Sequence, residues 1–272
     1  MGSAWRGEAE VQQLLNQLSS FDEREKGRSM MPHAKKSPQR SAAIAFGLVY
    51  LPTFILLVIA NFGILQPLIN GAQPAQNILA HATLFRIGAL GFLLYGLSVM
   101  VQSALLYILL QPVGQNLALL ALLGRLVNGI VWLMVALNLF TALRLLSRPE
   151  YGGLAPHSLQ SLAELYLSGF DQYYIGLLCW SLSAAVGAYL WLKSGHVPRV
   201  LAVFGILVST WCVGCTLVLF ILPNIQEIVN LWLFDTPMVL FEISLSILLL
   251  IRGLRGMGFT PTQLQTCREM VK

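Results

Sequence analysis

Six apolar runs constrain this chain more than any other feature: about Ile44–Leu65, Ile87–Leu110, Leu117–Leu143, Gln172–Leu192, Val200–Leu222 and Ile228–Ile251. A bilayer core about 30 Å thick is crossed by roughly 20 residues of helix, so each run is long enough to span it. β-Barrel strands would alternate polar and apolar residues over about ten positions, and these runs do not. Composition points the same way. Of the 272 residues 56% are hydrophobic and only 11% charged, and the mean hydropathy is +0.70. A soluble domain carries about 25% charged residues. A chain this poor in charge cannot cover a water-facing surface with polar groups. The expected fold is therefore all-α, a polytopic transmembrane helical bundle of six transmembrane helices.

The segments between the runs fit this division. Gln66-Pro67 and Gln111-Pro112 are expected to stop the first two spans, because proline cannot continue the hydrogen-bond ladder. Ser194-Gly195 ends the fourth, Pro198 suits the first turn of the fifth, and Leu222-Pro223-Asn224 closes it. Residues 1–43 form an N-terminal tail, flexible except for a short amphipathic helix suggested by Val11, Leu14, Leu15 and Leu18. Residues 44–251 form the six-helix domain and 252–272 a C-terminal tail. Met30-Met31, just ahead of the basic stretch, offers a second place where translation could begin. The first apolar run is too long for the 7–15-residue core of a signal peptide and is read as a retained helix.

Lys and Arg outside the spans set sidedness. With six helices, both termini and the second and fourth loops share one side. That side holds Arg6, Arg24, Lys26, Arg28, Lys35, Lys36, Arg40, Lys193, Arg199, Arg252, Arg255, Arg268 and Lys272. The other holds Arg86, Arg144 and Arg148, an asymmetry of about four to one that places both termini in the cytoplasm. This accounts for the formal charge of +5. A nucleic-acid partner is excluded, because the basic cluster lacks the interleaved aromatics of a base-stacking surface. On the far side, Ser147 to Gly169 carries a capping box, Ser161 with Glu164, ahead of Leu162, Tyr166 and Leu167. A short helix lying on the outer leaflet is expected there.

Catalytic chemistry finds no support. Cys212 and Cys215 have the spacing of a redox or metal pair, but they lie mid-helix among apolar residues and no second pair completes a zinc site. Packing is the expected role. The four histidines fall in tails and loops, and no histidine is placed to activate Ser98, Ser181, Ser183 or Ser209. No enzyme activity, metal or cofactor is expected.

The informative residues are ionisable groups in or near the spans, which cost roughly 2.5–3.5 kcal/mol at a helix centre and so normally face a partner or water. Arg125 lies about 12 Å deep from the cytoplasmic end of the third span and Glu242 about 15 Å deep in the sixth. Opposite charges at matching depth suggest an ion pair, with Asn128 one turn from Arg125. Arg86, Asp171 and Asp235 stand near the outer rim, and Asp235 shares a helix face with Glu242, two turns away. Either these six residues are structural, or they line a polar cleft that binds a small polar solute or lipid.

Several segments resemble the bacterial membrane proteins grouped as the domain-of-unknown-function 4386 family. They are Arg40 with Gly47 and Tyr50, Phe85-Arg86, Gly124-Arg125-Leu126-Val127, the run Tyr189-Leu190-Trp191-Leu192-Lys193-Ser194-Gly195-His196-Val197-Pro198-Arg199, then Pro237, Glu242 and Arg252-Gly253. His196 departs from the pattern, which would place an aromatic residue there. The resemblance implies a six-helix protein of the bacterial inner membrane and assigns no catalytic residue. Beyond the lipid bilayer itself, three partner readings remain at this point: a bound solute or lipid, a transported solute or ion, or a partner membrane protein.

Overall fold

A computed structural model describes residues 38–71, 73–147, 155–168, 173–222 and 231–255. Every regular element among them is helical. Helix α1 (Pro38–Val58) runs through a π-helical turn (Ile59–Leu65) into α2 (Gln66–Ile69), and the three make one span. There follow α3 (Pro74–Ala80), α4 (Ala82–Leu110), α5 (Gln115–Ser147), α6 (Pro156–Ser168), α7 (Tyr173–Ser194), α8 (Arg199–Ile221) and α9 (Leu231–Arg255). Six helical stretches, based on α1–α2, α4, α5, α7, α8 and α9, are long and apolar enough to cross a membrane. The protein is a multi-pass membrane protein.

Each of the six packs on its neighbours in chain order, and α9 returns to pack on α1, so the bundle is a closed ring. Its outer surface is aliphatic: Leu207 is 64% exposed and Ile221 75%. Water would not tolerate so continuous an apolar surface, whereas lipid solvates it. Inside, the core at the end bearing Arg40 and Gly253 is one cluster, with Phe46, Leu110, Leu190, Phe241 and Leu249 at its heart. The opposite end holds two separate clusters. One gathers Leu65, Phe85, Phe92, Leu139 and Leu143 with the short helix α6; the other gathers Tyr174, Leu177, Cys212, Leu219 and Phe234.

The first end is tied by specific contacts. Arg40 donates from Nε to the Gly253 carbonyl, 2.8 Å away, and so caps the last helix with a positive charge. Gly47 lets α1 and α9 touch, since a Cβ there would lie 2.9 Å from both the Ser246 carbonyl and Leu250 Cβ. Gly195 takes φ +66°, a left-handed conformation glycine adopts without penalty, and it stops α7 where expected.

The structure corrects the sequence reading at three places. Gln66-Pro67 does not stop the first span. The π-helical turn shifts the hydrogen-bond register ahead of it, so Pro67 falls in the first turn of α2, where its missing N–H is tolerated. The first span also begins at Pro38, six residues before Ile44. Finally, Ser161 does not open the far-side helix. That helix starts at Pro156, and the Ser161 hydroxyl donates back to the His157 carbonyl at 3.1 Å. The short far-side helix itself is present, and its stripe of Leu159, Ala163 and Leu167 is buried against α5 and its neighbours, so it docks on the bundle. Asp171, the N-terminal stripe from Val11 to Leu18, Arg148, Ile228 and Cys267 lie outside the described residues.

Candidate functional site

Arg125 of α5 and Glu242 of α9 meet across the middle of the ring, from helices that are not neighbours in it. Arg125 donates from Nη2 to Glu242 Oε1. Both are buried, Arg125 2% exposed and Glu242 not at all. Arg125 Nε and Glu242 Oε2 have no hydrogen-bond partner among the described residues, so the pair shares one bond where a bidentate fork would make two. Trp180 stands beside the carboxylate, and Tyr50 and Tyr95 are close electrostatic neighbours.

One turn beyond the pair, on the side away from Arg40 and Gly253, the ring opens into a cleft of about 330 Å³. Asn128 and Val239, each one turn from a member of the pair, line its inner part. Half of its lining residues are aromatic, against 10% of the whole chain. Trp132 organises one wall. Its indole stacks on Tyr173 with centroids 5.4 Å apart, and Phe92 and Tyr95 meet it edge-on, each at 5.1 Å. Tyr173 in turn lies 4.3 Å from Tyr174, which meets Phe234 edge-on at 6.2 Å. The cleft lies where the two apolar clusters of this end meet, with Phe234 and Tyr174 in one, Trp132 packed on the other and Tyr173 packed against both.

Its polar groups are few. Asp235, half-buried at the start of α9, is the one Asp, Glu, Lys, Arg or His among the described lining residues. Asn61 comes from the π-helical turn, and its Oδ1 is buried without a hydrogen-bond partner among the described residues. Gly176 of α7 lies against Asn128: a Cβ there would come 2.7 Å from its Oδ1, and the amide would have to shift.

Of the six residues singled out from sequence, four gather here: Arg125 and Glu242 beneath the cleft, Asn128 and Asp235 in its lining. Arg86 does not join them. It lies exposed in the first turn of α4, while its neighbour Phe85 faces the core. Cys212 is buried in packing and Cys215 partly so, and both are free thiols. The serines satisfy themselves within the helices: Ser98, Ser181 and Ser209 donate to carbonyls one turn back, and Ser183 donates across to Ala121.

Sequence reasoning missed the aromatic lining and Asn61. A signal was present. Tyr50, Phe54, Val58 and Asn61 recur at helical spacing in the first span, as do Tyr173, Leu177 and Trp180 in the fourth. No curated protein and no solved structure matches the chain. A family match does exist, to Domain of unknown function (DUF4386), and it covers residues 45–253. That interval takes in the pair, the cleft and the whole ring from the first turns of α1 to the end of α9, and the chain belongs to this family.

Proposed function

We propose that the protein is a binding protein of the bacterial inner membrane, with both termini in the cytoplasm and a cleft that takes a small solute or lipid group from the outer side. The cleft carries the reading. An accessory subunit acting only through helix contacts would be served by a sealed core, whereas this ring holds an aromatic cavity with a carboxylate, an unpartnered amide oxygen and an ion pair beneath it. Small-molecule sites are typically concave, mostly apolar and furnished with a few placed polar groups. The Arg125–Glu242 pair closes the inner end, and binding involves no covalent chemistry. A transported solute would have to pass this pair, so transport requires its rearrangement.

Orientation rests on the basic residues around Arg40, Lys193, Arg199 and Arg252. A cysteine replacing Lys193 should be shielded from an impermeant thiol reagent in intact cells, and one replacing Gly153 should react. Native mass spectrometry of the gently purified protein tests the binding reading. A retained adduct lost from cleft variants supports it; a bare polypeptide mass, unchanged by membrane extract, overturns it.

A further inference from the structure

We infer that the cleft selects a ligand bearing an ammonium group, which meets a wall of rings formed by Trp132, Tyr173, Tyr174 and Phe234 and which Asp235 neutralises. The inference rests on the reading of the cleft as a binding site and deepens it by naming the ligand's chemistry. Three observations carry it.

Charge is the first. Among the described residues no Lys, Arg or His lines the cavity, and Asp235 is the one acidic group that does. Arg125 and Glu242, beneath it, are paired with each other and cancel. The described lining is therefore net negative, and a cation is the ligand that matches it. Low-dielectric walls strengthen that attraction, because the field of the carboxylate is little screened there.

The second is the wall. Aromatic faces carry negative quadrupole density and attract cations within about 6 Å, with tryptophan the best of them. Trp132, Tyr173, Tyr174 and Phe234 form a connected series of rings at centroid spacings of 5.4, 4.3 and 6.2 Å. An aliphatic wall would have served an apolar solute as well. Rings add what an aliphatic wall lacks, an attraction for positive charge that needs no hydrogen bond.

The third is the remaining polar chemistry. The buried Oδ1 of Asn61 accepts and has no donor partner among the described residues. An anion would find repulsion at both Asp235 and this oxygen. An ammonium N–H, or the polarised methyl groups of a quaternary ammonium, suits both. The volume, about 330 Å³, lies at the small end for ligand sites and fits a compact headgroup or a small amine. Free amines, quaternary solutes and the ammonium headgroup of a phospholipid share this chemistry.

The test uses the full chain in detergent and in nanodiscs. Choline, benzyltrimethylammonium and hexylammonium are titrated while intrinsic tryptophan fluorescence, to which Trp132 and Trp180 of the cleft contribute, is followed, beside 3,3-dimethylbutanol, the uncharged isostere of choline. The expected result is saturable quenching by at least one cation, at least about tenfold tighter than by the isostere. Asp235→Asn should lose that preference while keeping the folded thermal transition, and Trp132→Leu should weaken the cation more than the alcohol. Nanodiscs of phosphatidylethanolamine and of phosphatidylglycerol separate the sources: competition by the first alone identifies a lipid headgroup, and competition by neither identifies a soluble amine. Equal binding of choline and its isostere, unchanged in Asp235→Asn, overturns the ammonium assignment and leaves the binding reading standing. No binding by any probe, together with a bare mass in native spectrometry, overturns both.

Discussion

The two ends of the ring are built from the same six helices and pack in opposite ways. Near Arg40 and Gly253 one apolar cluster fills the section, helices touch through Gly47, and a charged side chain caps the last helix. At the other end the core divides in two around an aromatic cleft, and the first span reaches it through a π-helical turn. Lipid surrounds both ends alike, so apolarity cannot explain the difference. Residue shape does. At one end aliphatic residues together with Phe46, Trp191 and Phe241 pack into a single filled cluster, whereas at the other end rings packed on one another line an open cleft. The Arg125–Glu242 pair sits at the boundary.

That boundary is where the largest effect is expected. Arg125→Leu or Glu242→Leu leaves a buried charge alone and should destabilise the protein on the order of 3–5 kcal/mol. The double variant leaves no orphan and should recover much of the loss. Thermal unfolding of the three variants in detergent measures the coupling. Additive losses would separate the residues energetically and remove the pair as the joint between the two ends. Recovered stability with ligand binding lost would instead make the pair part of the site.

A smaller effect separates the ends directly. Gly47→Ala places a methyl group 2.9 Å from a backbone carbonyl and a Cβ of α9, and helices do not yield there cheaply. A loss of about 1–3 kcal/mol is expected, as for other overpacked contacts. Gly63→Ala, on the π-helical turn, meets only Ile59 Cγ2 at 3.9 Å. It should be neutral or gain up to about 1 kcal/mol from the helix preference of alanine. Equal responses in thermal unfolding would mean that α1 and α9 do not touch at Gly47.

The contrast also explains what could be read from sequence. The spans were legible because a bilayer demands long apolar helices whatever their packing. The meeting of Arg125 with Glu242 was legible because depth along a helix is linear in residue number and buried charges need partners. The cleft was not. In water an inward face is more apolar than an outward one, but in lipid both are apolar, so the helical spacing of Tyr50, Phe54, Val58 and Asn61 marks one face without saying that it points inward. Tyr50, Trp132 and Tyr174 therefore read as ordinary span residues until the ring placed them on one cavity. The π-helical turn was illegible for a related reason. Pro67 marks a break in an α-helical ladder, and the register shift at Ile59–Leu65 sets it in the first turn of α2. Asp235 was visible as a charge, and Arg86 beside Phe85 equally so, yet a one-residue step decides which of two rim charges faces inward and which faces out.

The smallest effect lies at the sealed end and concerns His196, which stands between Lys193 and Arg199 in the turn after α7. Partial burial, and after it the positive charge of Arg252, hold the imidazole below its usual value, against an opposing hydrogen bond to the Ser194 backbone. The fold therefore favours neutral His196, and the unfolded chain takes up a proton more readily. Stability rises with pH wherever the unfolded state binds more protons. His196 thus contributes a loss that sets in as pH falls through the usual imidazole value and is complete below the lowered one. His196→Phe keeps the bulk of the turn and removes the titration. The fall in melting temperature from about pH 7.5 to about pH 5.5 should be shallower in this variant than in the parent. Carboxylates elsewhere titrate in both proteins and cancel in the difference. Identical slopes would show that protonated His196 is accommodated beside Arg252, and the sealed end would then be looser than its glycine contact and arginine cap imply.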